Sequence, residues 1–465
     1  MRLPYHRRRV ADLAVGLRQA RAGAKRERWP RERLERFQQE RLDALVRHAA
    51  RHSPLYRERL AGTLEGPVRL EQLPTITKAE AMDHFDDLVC DPALRRDALL
   101  QWVETLDEDR FHPTGHRVMT TSGSLGRKGL FVYDRDGWRG ICSQWLRHSA
   151  MAGTQPRVPR LRFALVSGSA PTHMSRQGSA TLSVGMHRML GLPVTLPLER
   201  LVAALNRFEP QALYAYPSLA MLLADEQLAG RLHLELDVLV TGSELRTAAM
   251  TERLADAFGV APFDLYATTE GLWASECEHH DGLHVFEDTT LFENVDTDNE
   301  PVPRGTRGAR VLVTNLCNRV QPIIRMELAD VVTVEPEPCR CGRTLARMRA
   351  VEGRSEDALA LPGRAGGAVT VLPAQFALVT RDREVGEFQV VQEGPRLRIL
   401  VVPRPSASRE LEARLRAAVA GRLTELGVDD PQIVVERRDA LARSVGGKLP
   451  LVVADREAAL TRAAR

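Results

Sequence analysis

Apolar residues recur at three- and four-residue spacings between positions 30 and 61, at Leu34, Phe37, Leu42, Leu45, Val46 and Ala49. That period predicts an amphipathic helical stretch, and His52-Ser53-Pro54 ends the run. Residues 70 to 110 alternate short helices with turns. Val118 to Thr121 reads as a strand entering a glycine-rich loop, and Leu130 to Tyr133 as the strand leaving it. From 137 to 260, compact apolar runs (Phe163 to Val166, Ala212 to Ala215, Val238 to Thr241) alternate with helical patterns, as expected of a layered α/β sheet. Between 283 and 335 the period shortens to strands and turns. Beyond Gly353 come strands at Gln389-Val390-Val391 and Arg396 to Val402, a helix near 409 to 426, and a strand at Ile433-Val434-Val435. These form a small α+β unit of about 110 residues, the size of a separate domain. No internal repeat or long low-complexity linker interrupts the pattern.

The 465 residues are 43% hydrophobic and 27% charged, enough apolar mass for real cores and, by length, for two or three domains. Lys+Arg 65 against Asp+Glu 61 leaves +4, spread along the chain, so charge gives no case for a nucleic-acid partner. No apolar run reaches the roughly 18 residues of a membrane span. Met1 to Arg9 is basic but leads into no hydrophobic stretch, unlike a secretory signal, so a cytoplasmic protein is expected. Only four basic residues are lysine: Lys25, Lys78, Lys128 and Lys448. An ammonium is a compact point charge and a guanidinium a broad fork, so a lysine kept in this background hints at a site that needs the smaller group. For Lys25 and Lys78, chance survival serves equally well. The six cysteines, at 90, 142, 277, 317, 339 and 341, read as reduced thiols or metal ligands. Cys90, Cys142 and Cys317 have no partner at a telling spacing and read as buried small hydrophobes.

Four segments carry chemistry. Thr120 to Gly129 (Thr-Thr-Ser-Gly-Ser-Leu-Gly-Arg-Lys-Gly) can bring backbone N–H groups and a cation to an anion, though it lacks the Walker spacing and also reads as a hairpin turn. Asp264 to Gly271 runs a strand into hydroxyls and one carboxylate, Glu270, suited to magnesium beside phosphate or to a helix cap. Pro322 to Asp330 is followed by Gly353-Arg354-Ser355-Glu356-Asp357, and Ser444 to Pro450 carries a glycine-flanked Lys448. Separately, Cys339-Arg340-Cys341-Gly342 and Cys277 to His284 offer soft ligands about 55 residues apart, which suits a closed Cys₃His zinc site. Cys277, Cys339 and Cys341 supply thiolates. Among His279, His280 and His284, the last starts a strand and would be held rigidly.

In this order, the motifs resemble those of the adenylate-forming (acyl- and aryl-CoA ligase) superfamily, and within it the phenylacetate–CoA ligase-like branch. The likeness runs from about residue 30 to 455: the Arg41-Leu42 to Arg57 lead-in, Thr121 to Gly126, Tyr266 to Glu270, Pro322 to Asp330, and Gly353 to Asp357. Two departures stand out. Leu125 replaces a usual hydroxyl residue, and Arg364 to Pro373 replaces the branch's Arg-Gly-x-Asn-x-Phe-Pro stretch near the acyl acceptor.

The resemblance implies a large α/β N-terminal adenylate-forming domain with layered sheets and helices, residues 1–352, with a helical lead-in to about 70. It implies a small mobile α+β C-terminal domain, 353–465, carrying the lysine. Ser122, Gly123, Ser124, Gly126 and Lys128 would line the triphosphate of ATP. Gly242, Ser243 and Glu244 would sit against adenine, with Tyr266 stacking near it. Thr269 would touch the α-phosphate, Glu270 would bind magnesium, and Asp330 would accept the ribose hydroxyls with Arg354 beside it. Lys448 would reach the carboxylate and α-phosphate. Many members of the branch carry a structural metal like the cysteine-histidine zinc site. The expected activity is ATP-dependent activation of a carboxylic acid, aryl or arylacetic, to an acyl-adenylate, then transfer to coenzyme A. Its alternatives are an amine or carrier-protein acceptor, or a zinc-stabilised binding protein without catalysis. Neither a nucleic acid nor a membrane is an expected partner; a homodimer is a compatible assembly.

Overall fold

The computed structural model describes residues 2–64, 66–121, 129–168, 170–444 and 446–454. Its centre is a nine-stranded sheet. From one edge the order is Asp330–Val334, Arg347–Arg354, Leu283–Val285, Trp273–Glu276, Phe263–Ala267, Val238–Gly242, Ala212–Ala215, Arg162–Ser167 and Arg188–Pro193. The last five are mutually parallel and the first five antiparallel, so Phe263–Ala267 belongs to both halves. The central parallel strands Ala212–Ala215 and Val238–Gly242 are apolar runs of the sequence and are buried on both faces.

Within the predicted stretch from 30 to 61, the helix Arg31–His52 buries Leu34, Leu42, Leu45, Val46 and Ala49. Ser53 then breaks the run and caps a second short helix, Pro54–Arg59. Tyr56 is buried, and its hydroxyl accepts the Ile324 N–H at 3.2 Å. The lead-in is thereby fastened to the Pro322–Asp330 segment.

Beyond Asp357, apolar residues from Leu359 to Val452 form their own hydrophobic core. A sheet ordered Gln432–Arg437, Arg396–Pro403, Val385–Glu393 and Val452–Val453 is covered by helix Leu411–Glu425. That helix buries Leu411, Leu415, Val419 and Leu423, each worth about 2 kcal/mol in removed apolar surface. Among the described residues, no helix is long and apolar enough to cross a membrane.

Periodicity missed the first helix, Arg2–Arg26, which lies along helix Arg135–Met151. Its buried face, Asp12, Leu13, Gly16, Ala20 and Gly23, holds a single large apolar residue. A Cβ on Gly16 would come to 3.0 Å from Cys142 Cβ, and one on Gly23 to 2.9 Å from the Arg147 side chain. Asp12 is fully buried, its carboxylate accepting Arg135 Nε at 2.6 Å and Arg139 Nε at 3.1 Å.

At the end of this helix lies a buried ion network. Arg147 donates to Glu27 at 2.8 Å and to Asp288 at 2.6 Å, Arg26 donates to Asp288 at 2.8 Å, and Arg343 to Glu27 at 2.8 Å. Burial would raise the Asp288 pKa, but the Arg147 and Arg26 guanidiniums outweigh it and hold the pKa below the ordinary value. A depressed carboxylate pKa gives stability that is present above the unfolded value near 4 and lost as pH falls through the folded one. We therefore expect Arg147→Met, which leaves Asp288 with Arg26 alone and Glu27 with Arg343 alone, to lose about 2–3 kcal/mol at neutral pH by chemical denaturation. That deficit should narrow below about pH 4, where the Asp288 carboxyl takes up a proton. A pH-independent deficit would assign the loss to packing alone.

Candidate functional site

The strands Arg162–Ser167, Ala212–Ala215, Val238–Gly242 and Phe263–Ala267 all end at one edge, where ligands bind in open α/β sheets. The segment after Ala267 folds into a tight turn. Thr268 N–H donates to the Leu272 carbonyl at 2.9 Å, and Leu272 N–H returns to the Thr268 hydroxyl at 3.1 Å. Gly271 has φ +109°, and a Cβ there would overlap the Asn315 side-chain amide, so only glycine fits. Asn315 Nδ2 donates to the Glu270 carbonyl at 3.0 Å and to the Tyr133 hydroxyl at 3.1 Å, while Tyr133 donates to the Thr269 carbonyl at 2.8 Å. The backbone carrying Thr269 and Glu270 is thus pinned from behind by two buried side chains, neither of which stood out in the sequence.

Glu270 is 4% exposed. Its Oε1 accepts Lys78 Nζ at 2.9 Å. Burial pushes the Glu270 pKa up, but the charge and hydrogen bond of Lys78 prevail and it lies below the usual carboxylate value. Lys78, which the sequence left open to chance, therefore faces the site. The only advance signal was its being one of four lysines.

Asp330 and Arg354 are register partners across adjacent antiparallel strands, with Nε 3.7 Å from Oδ1. Burial raises the Asp330 pKa, and Arg354 partly offsets this. The Tyr266 phenol stands beside Asp330, and burial together with that carboxylate drives its pKa well upward. At the end of the neighbouring strand, a Cβ on Gly242 would lie 2.5 Å from the Leu265 carbonyl oxygen. Ser243 takes φ +71°, and its hydroxyl is 3.1 Å from that of Tyr214. The Glu244 carboxylate accepts Ser218 N–H at 3.0 Å and Leu449 N–H at 2.8 Å, so it grips the loop that carries Lys448.

That loop is internally tied: Lys448 N–H donates to the Ser444 hydroxyl at 3.1 Å and Ser444 N–H to the Lys448 carbonyl at 2.8 Å. Gly447, at φ +79°, sits so close to Val194 that a Cβ would overlap it. Arg443 reaches the Ser218 hydroxyl at 2.9 Å. Burial lowers the Lys448 pKa, and Arg354 and Lys78 lower it further, against Glu244 and Asp330. The groups that shift this ammonium are the site's own. His173 is also close; burial and the Lys448 charge push its pKa down to about 4.

Of the anticipated triphosphate-lining residues, Ser122, Gly123, Ser124, Gly126 and Lys128 lie outside the described residues. The loop's flanks are described: strands Arg117–Thr121 and Gly129–Tyr133 pair with Thr121 opposite Gly129. Among the described residues the buried Thr121 hydroxyl has no hydrogen-bond partner.

At the other end of strand Trp273–Glu276, ligand atoms of Cys277, His284, Cys339 and Cys341 all lie within 4.8 Å of one another. Cys277 and Cys339 sulfurs are 3.8 Å apart, and Cys341 Sγ is 3.5 Å from His284 Nε2. A tetrahedron with bonds of about 2.3 Å has edges near 3.8 Å, so the donor set fits zinc. Burial raises the Cys277 thiol to about 12; Cys341 is drawn below the ordinary thiol value by Arg343 against burial. His280 instead contacts Glu276 Oε2 at 3.1 Å and packs on Phe263, and His279 is not in the cluster. Arg28 donates to the Cys341 carbonyl at 2.9 Å and Thr344 N–H to the Glu27 carbonyl at 2.8 Å, which joins this knuckle to the first helix.

No family model matches the chain. It is 28% identical over 382 residues to the phenylacetate-coenzyme A ligase of Thermus thermophilus, covering 78% of this chain and 79% of that protein. The phenylacetate-coenzyme A ligase of Escherichia coli is 27% identical over 375 residues, 77% of each. Among solved structures, 2-hydroxyisobutyryl-CoA ligase in its postadenylation state superposes with a TM-score of 0.73 at 23% identity, over 95% of this chain and 94% of that one. Over three quarters of its sequence the chain is similar to phenylacetate-coenzyme A ligases, in agreement with the order of the motifs, and it shares the fold of a solved acyl-CoA ligase.

Proposed function

We propose that the chain is an AMP-forming acid–thiol ligase that activates an aryl or arylacetic acid with ATP and passes the acyl group to coenzyme A. The observation that carries this reading is the convergence of Lys448, Glu270, Asp330 and Arg354 at the carboxyl ends of the parallel strands, each belonging to a different motif. In the first step a carboxylate oxygen attacks the α-phosphorus, the bond to the bridging oxygen breaks, and pyrophosphate leaves with the electron pair. In the second, the thiol sulfur attacks the acyl carbon, loses its proton, and AMP leaves.

Charge builds on phosphate oxygens in the first step, and preformed cations lower its cost because they need no reorganisation. Lys448 supplies one such charge between the carboxylate and the α-phosphate. Burial and the nearby Arg354 and Lys78 disfavour its charge, Glu244 and Asp330 offset this only in part, and incoming anions therefore meet an ammonium short of compensation. Thr269, on its pinned turn, offers a hydroxyl to the α-phosphate. Asp330 accepts the ribose hydroxyls with Arg354 alongside, and Tyr266 with Gly242, Ser243 and Glu244 walls the adenine. Ser122, Gly123, Ser124, Gly126 and Lys128 would line the triphosphate. A magnesium ion, when bound, would be held by Glu270 and would neutralise phosphate charge.

Residues 353–465 act as a mobile unit pivoting at Gly353 to Asp357. Their separate core supports this, as do the polar contacts with the larger domain: Arg404 to Asp225 at 2.8 Å, Thr380 to Thr247 at 2.9 Å, and the Glu244 grip on Leu449. Zinc at Cys277, His284, Cys339 and Cys341 is structural, since the knuckle lies at the opposite end of a strand from Glu270.

Radiolabelled pyrophosphate should exchange into ATP only when a suitable acid is present, and free AMP should accumulate catalytically only when coenzyme A is added. Exchange with turnover supported by an amine and not by the thiol would reassign the acceptor; absence of exchange with any aryl, arylacetic or aliphatic acid would leave a binding protein. Lys448→Ala should slow adenylate formation by at least about a hundredfold, the loss of a charge-assisted contact made in the transition state. It should slow thioester formation from a supplied adenylate far less; equal losses in both half-reactions would point to misfolding instead. Purified protein should carry about one zinc equivalent. Cys339→Ser and Cys341→Ser should each release it and lower the melting temperature, and metal-free protein of unchanged melting temperature would refute the site.

A further inference from the structure

A crevice of about 390 Å³ takes no part in the chemistry at Glu270. Helices Arg2–Arg26, Arg31–His52 and Arg135–Met151 wall it, together with the segments 288–289 and 316–319. Its volume suits a small organic molecule rather than a bare ion. None of its lining residues belongs to the motifs that gather at Glu270, and none lies beyond 319, so the C-terminal unit does not contribute to it.

Charge is unevenly settled around this crevice. Asp288 receives Arg26 at 2.8 Å and Arg147 at 2.6 Å, and Asp136 receives Arg139 at 2.8 Å. Asp134 caps its helix by accepting Gly137 N–H at 2.6 Å, where the positive end of the helix offsets its charge. Every carboxylate of the wall is therefore engaged. Two guanidiniums are not: among the described residues, neither Arg41 nor Arg319 has a carboxylate within ion-pair distance. Arg41 gives one N–H to the Leu316 carbonyl at 3.1 Å and lies 5.4 Å from the Phe37 ring centre, while its Nε is buried without a partner. A buried N–H of that kind calls for an acceptor. Cys317 adds no compensating charge, because burial raises its thiol pKa. Two cations that share a crevice repel each other, and an anion between them removes the repulsion. On the facing helix, Gln19 Oε1 is likewise buried without a partner, an acceptor for a ligand that carries a donor beside its anionic group.

The crevice also touches the supports of the Thr269–Glu270 turn. Asn315 Oδ1 accepts the N–H groups of Cys317 at 2.9 Å and Asn318 at 3.1 Å, and the same amide donates to the Glu270 carbonyl. Asp134 directly follows Tyr133, whose hydroxyl holds the Thr269 carbonyl. Two parts of the wall are thus one residue away from the side chains that pin the turn.

We propose that this crevice is an effector site for a small organic anion, a carboxylate or a phosphate ester that also carries a hydroxyl or amino group. Arg41 and Arg319 bind the anionic group and Gln19 accepts from the donor. Joining the two guanidiniums orders the segment 316–319, and Asn315 passes that order to the turn, so ATP enters a site already partly fixed. By linkage, ATP and the anion raise each other's affinity by the same factor. The coupling rests on the ligase reading; the binding does not.

Calorimetric titration of malate and of glycerol 3-phosphate into full-length wild type, Arg41→Met and Arg319→Met tests the site. Wild type should bind at least one of them, malate alone marking carboxylates and glycerol 3-phosphate alone marking phosphate esters. Each variant should weaken that binding about tenfold, the loss of one charge-assisted contact. Arg319→Met should melt with wild type, since it gives up no ion pair. Binding of neither probe, or binding that both variants retain, would overturn the site. Should Arg41→Met fail to fold through loss of its bond to Leu316, Arg319→Met decides alone. In acid-dependent pyrophosphate exchange at fixed free magnesium, the bound probe should lower the KM for ATP about fivefold in wild type and leave Arg319→Met unmoved. An unchanged KM in wild type would overturn the coupling. Protein that exchanges no pyrophosphate with any acid would bring down the ligase reading, and the titrations would still decide the site.

Discussion

Glu270 is 4% exposed and ionised, and a buried carboxylate left alone would lie several kcal/mol above its solvated state. The architecture around it follows from that constraint. A cation must be within hydrogen-bond reach, so the segment at 76–78 is bridged to a strand and capped to deliver Lys78. The carboxylate must also be aimed, so the backbone behind it is fixed by Asn315 and Tyr133, and the turn must reverse beneath Asn315, which only glycine at 271 allows. Asp330 and Arg354 meet the same demand in another way, as register partners on neighbouring strands, where the sheet itself sets their separation. Site geometry here is bought with buried polar groups, each of which had to find a partner.

A second polar spine serves the scaffold. From Arg26 through Asp288, Arg147, Glu27 and Arg343 it runs to the cysteine-histidine knuckle, so the first helix, the helix Arg135–Met151 and the knuckle share one chain of charges. Such a chain specifies register more sharply than apolar contact does, because a shift of one residue would leave a buried charge unpaired. Gly16 and Gly23 let the two helices approach closely enough for the charges to meet.

How much of this could be read from the sequence depended on whether a feature has a period or a spacing. The parallel strands at 163–166, 212–215 and 238–241, the helix near 409–426 and the small C-terminal sheet are apolar repeats, and they lie where the pattern put them. Cys339-x-Cys341 and Cys277 to His284 were legible because metal ligands impose local spacing, and His284 joins the cluster because its strand pairs with Arg347–Arg354, close to the cysteine turn. The Arg2–Arg26 helix was not legible, since its inner face sets one leucine among alanine, glycine and a fully buried aspartate. Nor were Lys78, Tyr133 and Asn315, which reach Glu270 from segments 45 to 192 residues away and match no local pattern. Long-range polar contacts leave no trace in a window of sequence.

The grip of Glu244 on the lysine loop is made to the peptide nitrogen of residue 449 rather than to any side chain. A latch of that kind is carried by the backbone and is indifferent to what residue 449 is, so long as it is not proline. Its two halves can drift in sequence without losing each other, and one partner will never register as a matching residue between relatives. The contact between residue 244 and the lysine loop can therefore tolerate change at 449, and the single carboxylate at 244 is the side chain on which that latch depends.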